Sequence, residues 1–225
     1  MRPIAPFLDR THWDEASRLF NRIKIEAEAA PRPTLLPGAT RAVPMAAVVD
    51  GVLSLISTDA KRDRTVLRSE RFLIRKKRSD LPADSSPLRR WYIACADHEL
   101  YELIRAAVAA FDQTLWQQAT ERSMLTRSVG LRALFQFVAD LLPKTDVPPE
   151  APVRENLPRL VAMVEDRLVE ALRRVDDIDF THTFFEPTGR GQTRIRNVLK
   201  VRNGLARLED LPIADRDAYK VILRS

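Results

Sequence analysis

Apolar residues recur about every 3.6 positions along most of the chain, which is the period of an amphipathic α-helix. The pattern predicts helices over residues 12–23, 44–57, 98–118, 128–142, 154–175, 193–208 and 215–224. A further helix is predicted to start near residue 61. The favoured fold class is therefore mainly α, a bundle-like helical lobe with a short irregular or β segment near residues 178–187.

Local signals refine this pattern. Asp97, Ser128 and Thr193 are predicted N-caps, because short polar side chains satisfy the free N–H groups of a helix start. The apolar residues 91–94 fit either a short strand or a buried helix segment. Gly51 either weakens its helix by about 1 kcal/mol or permits close packing.

Residues 143–158 contain five prolines, which interrupt the helical pattern. We predict one lobe over residues 1–145 and a C-terminal lobe over residues 146–225. The alternative is that this segment only carries the chain across the surface of one continuous domain.

Composition excludes several classes of protein. Among 225 residues there are six glycines, one cysteine and three histidines. Few glycines argue against P-loop and Rossmann folds, and one cysteine excludes a disulfide framework or a Cys-based zinc site. We therefore predict no cofactor and no metal. No apolar run approaches the roughly 18 residues of a membrane span, so no membrane association is expected. The single cysteine and the absence of a signal-peptide pattern favour the cytoplasm.

The sequence offers weak candidates for catalysis. His98 lies between Asp97 and Glu99, as a general base oriented by a carboxylate would, but an ordinary capping turn has the same pattern. His182 could act with Glu186 or Asp179, but the favoured prediction is a partly buried histidine in an extended segment. Cys95 is predicted to be a buried, inert thiol. We predict no catalytic residue, and an enzyme is the least favoured interpretation.

Mapping the net charge of +6 is more informative. Residues 61–90 hold eleven Lys and Arg against four acidic residues, a net charge of +7. Residues 187–207 hold six Lys and Arg and no acidic residue. The remainder of the chain is therefore acidic. Positive charge clustered in this way is typical of a protein that binds a polyanion.

The second basic segment carries the more detailed hypothesis. Residues 188–192 are predicted to form a glycine turn before a helix whose free N–H groups would face a phosphate. Arg190 and Arg194 would clamp that phosphate, and Gln192 and Asn197 would reach base edges. The predicted nucleic-acid-binding residues here are Arg190, Gln192, Arg194, Arg196, Asn197, Lys200 and Arg202. Alternatively, the arginines pair with acidic residues of the chain, namely Glu165, Asp166, Asp176, Asp177 and Asp179.

In the first segment the predicted phosphate contacts are Arg75, Lys76, Lys77 and Arg78. Three other interpretations remain open for this run: a solvated face, a disordered basic loop, or a nuclear localisation signal.

Residues 91–142 add a resemblance to a known family. An aromatic entry at Trp91 is followed by a helix, a Trp and a short polar gap. The residues that carry the likeness are Ala109, Ala110, Phe111, Leu115, Trp116 and the run from Leu125 through Thr126, Gly130 and Ala133 to Phe135. They resemble the C-terminal helical half of DGQHR-domain proteins, where such a helix precedes a Lys/Thr-Thr-x-Gly-x-x-Ala-Leu motif. The likeness covers roughly residues 15–145, and the name-giving Asp-Gly-Gln-His-Arg sequence is absent.

The resemblance implies a bacterial accessory protein of DNA-modification or defence systems, such as DNA phosphorothioation, in which some members act as DNA-binding regulators. The favoured function is thus binding of nucleic acid, DNA before RNA, through phosphates. The alternative is a protein-interaction subunit without catalysis, which docks on a separate chain that supplies the N-terminal half of the family.

Overall fold

In a computed structural model, described for residues 23–24, 43–68, 76–120 and 122–224, the apolar stripes form helices as the periodicity predicts. The α-helices of the described residues are α1 (Met45–Ile56), α2 (Ala60–Arg68), α3 (Arg89–Ile93), α4 (Asp97–Phe111), α5 (Ser128–Leu141), α6 (Leu157–Arg173), α7 (Gly189–Arg202) and α8 (Arg216–Arg224). The mainly α fold class is confirmed. Of the helix predicted over residues 12–23, residues 12–22 lie outside the described residues, and Ile23 is not helical.

Strand structure is minimal in the described part of the chain. β1 (Ile23–Lys24) pairs in parallel with β2 (Val43–Pro44), with Ile23 opposite Val43. Residues 91–93 belong to α3, so the helical interpretation of that apolar run is the right one. Residues 178–187 form turns and bends without a strand, and Phe180, Phe184 and Phe185 are buried there.

The N-caps predicted for α4 and α5 are wrong. The N-cap residue of α4 is Ala96 and that of α5 is Arg127, and neither side chain caps its helix. Asp97 instead binds Arg78 through both carboxylate oxygens, at 2.6 and 2.7 Å. A bidentate pair with a guanidinium is stronger than one bond to a backbone N–H, so the distant partner takes the carboxylate.

The core centres on α5, which packs against α1 on one side and α7 on the other, while α4 packs against α6. The rings of Phe111 on α4 and Phe135 on α5 meet edge to face, with centroids 5.6 Å apart. Gly51 of α1 faces the same ring, and a Cβ there would lie 2.2 Å from Phe135 Cδ2. Gly51 therefore permits close approach of α1 and α5, the packing alternative of the sequence analysis.

The proline-rich segment runs between α5 and α6 and contacts α3. Trp91 Nε1 donates a hydrogen bond to the Pro148 carbonyl at 3.1 Å, and Arg90 pairs with Glu150 at 2.8 Å. Buried residues from both sides of the segment belong to one hydrophobic cluster. The division at residue 145 stays a prediction. No helix of the described residues is long and apolar enough to cross a bilayer.

Candidate nucleic-acid interface

The start of α7 differs from the predicted glycine turn. Thr188, not Thr193, is the N-cap, and its Oγ1 accepts a hydrogen bond from the Gly191 N–H at 3.3 Å. Residues 189–192 are therefore the first helical turn. Glycine is needed at 191 because a Cβ there would lie 1.8 Å from the Glu186 carbonyl oxygen. The low helix propensity of glycine favours a turn in the sequence analysis. In the structure, glycine at 191 is helical and leaves room for the backbone of Glu186.

Arg194 is buried and does not face solvent, with 9% of its side chain exposed. It donates to the Phe184 carbonyl at 3.0 Å, to Glu186 Oε1 at 3.2 Å and to Asp215 Oδ1 at 2.7 Å. Its guanidinium also lies over the Phe184 ring, 4.4 Å from the centroid. The hydrogen bond with Asp215 raises the pKa of Arg194, since it outweighs burial.

Arg190 binds the same Asp215 oxygen at 2.7 Å. The hydrogen bond from Arg194, helped by the one from Arg190, lowers the pKa of Asp215 although burial opposes it. A phosphate approaching this end of α7 would have to displace Asp215 from both arginines. It would also meet the Glu186 carboxylate, which is already bound to Arg194.

Three of the remaining residues of the predicted site also bind side chains of the same chain, and two do not. Arg196 forms two 2.6 Å hydrogen bonds with Asp140, Asn197 donates to Tyr219 Oη at 3.0 Å, and Arg202 pairs with Asp177 at 2.6 Å. Of the acids proposed as alternative partners, Asp177 forms such a pair. Among the described residues, the side chains of Gln192 and Lys200 make no hydrogen bond or ion pair, and both are half-buried.

The predicted phosphate contacts of the first basic segment differ in their surroundings. Arg75 lies outside the described residues, and Lys76 and Lys77 are exposed. Arg78 is held by Asp97 and lies 4.9 Å from the centroid of the Tyr92 ring. The hydrogen bond with Asp97 raises the pKa of Arg78. Two lysines of this predicted run are therefore available to a ligand, and Arg78 holds a turn against α3 and α4.

A further group of exposed cations lies on α2, which the predicted site residues did not include. Asp63, Val66 and Leu67 face inward, because they recur at the spacing of one helix face. The opposite side carries exposed cations that make no ion pair within the described residues. We call these four the α2 basic face: Lys61, Arg62, Arg64 and Arg68. The spacing of cations opposite apolar residues is the sequence signal that identifies it.

A buried ion pair holds α2 in this orientation. Arg89 is 2% exposed and contacts Asp63 through two bonds, at 2.5 and 2.9 Å. It also donates to the carbonyls of Ile56 and Pro82, and Ser57 Oγ donates to Asp63 at 2.7 Å. Burial alone would raise the pKa of Asp63, but the hydrogen bonds from Arg89 and Ser57 outweigh it, so the pKa is lowered. This network joins α1, α2, α3 and the loop that precedes α3.

The weak catalytic candidates gain no support. His98 is exposed at the start of α4, and Asp97 binds Arg78. His182 is exposed rather than partly buried, and its Nδ1 accepts a hydrogen bond from the Phe184 N–H at 3.0 Å. Cys95 is also exposed, contrary to prediction, because it lies in a left-handed turn after α3 with φ of 59°. The described residues contain no group of three or more His, Cys, Asp and Glu side chains placed to hold a metal ion.

Comparisons with protein-family models, with curated proteins and with solved structures find no match to this chain.

Proposed function

We propose that this protein binds nucleic acid, with DNA favoured, by contacting phosphates through the α2 basic face. Its role would be that of a non-catalytic accessory or regulatory protein in the cytoplasm, and the resemblance to DGQHR-domain proteins suggests a bacterial DNA-modification or defence system. The observation that carries the proposal is the concentration of four exposed cations on a nine-residue helix. Such a surface attracts a polyanion and favours association.

The helix dipole does not account for the cations at the start of α2. Lys61 and Arg62 lie in the first turn, where the helix dipole disfavours positive charge. Asp59 satisfies that end by accepting a hydrogen bond from the Arg62 N–H at 2.9 Å. The one acidic residue within the helix, Asp63, is buried against Arg89. The outward charge of α2 is therefore not balanced by the helix itself.

The exposed side of α6 provides a contrast. There Glu170 accepts hydrogen bonds from Arg167 at 3.3 Å and from Arg174 at 2.7 Å. Alternating charge of this kind is typical of an ordinary solvated helix surface. In the part of the chain that the structure describes, no acidic side chain pairs with a cation of the α2 basic face, which supports a role in binding.

The arginines of α7 have a different role in this proposal. Arg194, Arg196 and Arg202 hold α7 against the rest of the chain through carboxylates. Lys76 and Lys77 remain candidates for additional phosphate contacts because they are exposed. The centre of the proposed interface therefore moves from the second basic segment to the first.

A salt-titrated gel-shift assay on a DNA duplex tests the proposal. We expect the double variant Lys61→Glu/Arg64→Glu to bind at least about tenfold more weakly at low salt, since two phosphate contacts become repulsive. The matched control is Arg159→Glu/Arg173→Glu, which changes the net charge equally at exposed positions of α6. Unchanged binding by the α2 variant, or an equal loss in the control, would contradict the proposal.

A further inference from the structure

We infer that the α2 basic face takes duplex DNA in preference to single-stranded DNA. This inference rests on the proposed function and adds the form of nucleic acid that the surface fits. Two features of the described residues carry it, the placement of the aromatic side chains and the arc that the cations cover, together with the charge density of the two forms of DNA.

The described part of the chain presents no stacking platform. Proteins that bind single strands stack bases on aromatic side chains, each worth about 1–3 kcal/mol. Here the aromatic side chains of the described residues are all buried: Trp91, Tyr92, Tyr101, Phe111, Trp116, Phe135, Phe137, Phe180, Phe184, Phe185 and Tyr219. On α2 itself, the only exposed residue besides the four cations is Thr65. Within the described residues, a single strand would therefore gain phosphate contacts without stacking on the ring of a Phe, Tyr or Trp side chain.

The cations cover a wide arc of the helix. At about 100° per residue, Lys61 and Arg68 lie close together on one line along the helix. Arg62 and Arg64 lie on opposite sides of that line, so the four cations span roughly 160°. A surface of this width can meet phosphates on both of its flanks. A duplex groove offers two phosphate strands, whereas a single strand offers one.

Size and charge density agree with a duplex. A nine-residue helix is about 13–14 Å long and, with its side chains, about 10–12 Å wide, which suits a major groove of about 12 Å. Duplex DNA also carries one charge per roughly 1.7 Å of axis, twice the density of one strand. The α2 basic face therefore neutralises more phosphates per unit length on a duplex.

Fluorescence anisotropy with the full chain tests this inference. The probes are a labelled 20-base-pair duplex and a labelled oligothymidine of the same length, titrated between about 50 and 200 mM salt. We expect at least tenfold tighter binding to the duplex. The slope of log K against log salt should be near −3.6 for four phosphate contacts, and Lys61→Gln/Arg64→Gln should reduce its magnitude by about 1.8. The control Arg159→Gln/Arg173→Gln should leave the slope unchanged.

The outcomes separate the two proposals. Equal or tighter binding to the oligothymidine overturns the duplex preference and leaves the proposed function standing. Binding to neither probe overturns both. A duplex preference that persists with an unchanged slope in Lys61→Gln/Arg64→Gln shows that another surface makes the contacts, and it also overturns the inference.

Discussion

At the scale of single residues, burial and acceptors decide what an arginine does. Arg89 and Arg194 lie in the two basic segments, yet each is buried among carboxylate and carbonyl oxygens. The planar guanidinium offers five N–H donors, so one side chain can satisfy several acceptors at once. Because a buried charge requires such partners, these two arginines stabilise the folded chain and are not available to a ligand. Arg64, which has the same charge but an exposed side chain, is free to bind a ligand.

The effect of replacing Gly51 also depends on the side chains that surround it. We expect Gly51→Ala to destabilise the protein by about 1–3 kcal/mol, because the added methyl group would collide with the Phe135 ring. Helix propensity alone would predict a gain of up to about 1 kcal/mol. The measurement is the free energy of unfolding in urea. The control is Gly189→Ala, where a Cβ meets nothing within 4 Å and stability should hold or rise slightly. A stabilised Gly51→Ala variant would disprove the close packing.

At the scale of elements, the buried pair fixes which side of α2 faces solvent. Asp63 lies on the inner side of the helix and Arg89 reaches it from the start of α3, 26 positions along the chain. The same arginine also binds the end of α1 through the Ile56 carbonyl at 3.1 Å. The outward position of the α2 basic face is thus a consequence of a contact on the opposite side of the helix.

Removing the charge of Asp63 should loosen this arrangement. We expect Asp63→Asn to lower the free energy of unfolding by about 3 kcal/mol, because Arg89 loses its closest anionic partner in a buried site. Urea denaturation measures the change. Asp50→Asn is the matched control, since Asp50 forms a 2.6 Å pair with Arg132 that is partly exposed to solvent and contributes at most about 1 kcal/mol. Similar losses in the two variants would contradict a special role for the buried pair.

Helices could be predicted from the sequence where an apolar stripe runs for several turns, as in α1, α4, α5 and α6. The start of α7 could not, because Gly189 and Gly191 weaken the helical signal while the reason for glycine, the Glu186 backbone, is a tertiary contact. The ion-pair partners of the arginines could not be predicted from the sequence either. Arg194 and Arg196 bind acids 21 and 56 positions away, and a charge count does not show such pairings.

At the scale of the whole molecule, three hydrogen-bonded carboxylates, one buried and two partly buried, link the stability of the fold to pH. Asp63, Asp84 and Asp215 belong to networks that join different elements, and the pKa of each is lowered. For Asp84, burial alone would raise the pKa, but hydrogen bonds from the Thr58 and Ser86 N–H groups outweigh it. All three residues therefore hold fewer protons in the folded chain than in the unfolded chain at low pH. Stability must rise with pH wherever the unfolded chain binds more protons.

The direction and range of the pH effect follow. The stabilisation by these carboxylates is complete above their unfolded pKa of about 3.9 and is lost as the pH falls through the lower folded values. We therefore expect the urea midpoint to change little on their account between pH 7 and pH 5, and to fall steeply below about pH 4. Asp63→Asn and Asp215→Asn should each lower the midpoint at pH 7 and flatten its decline in acid, because the proton-linked pair is gone. Urea titrations at several pH values measure this. A decline in both variants as steep as in the parent chain would show that other groups control acid unfolding.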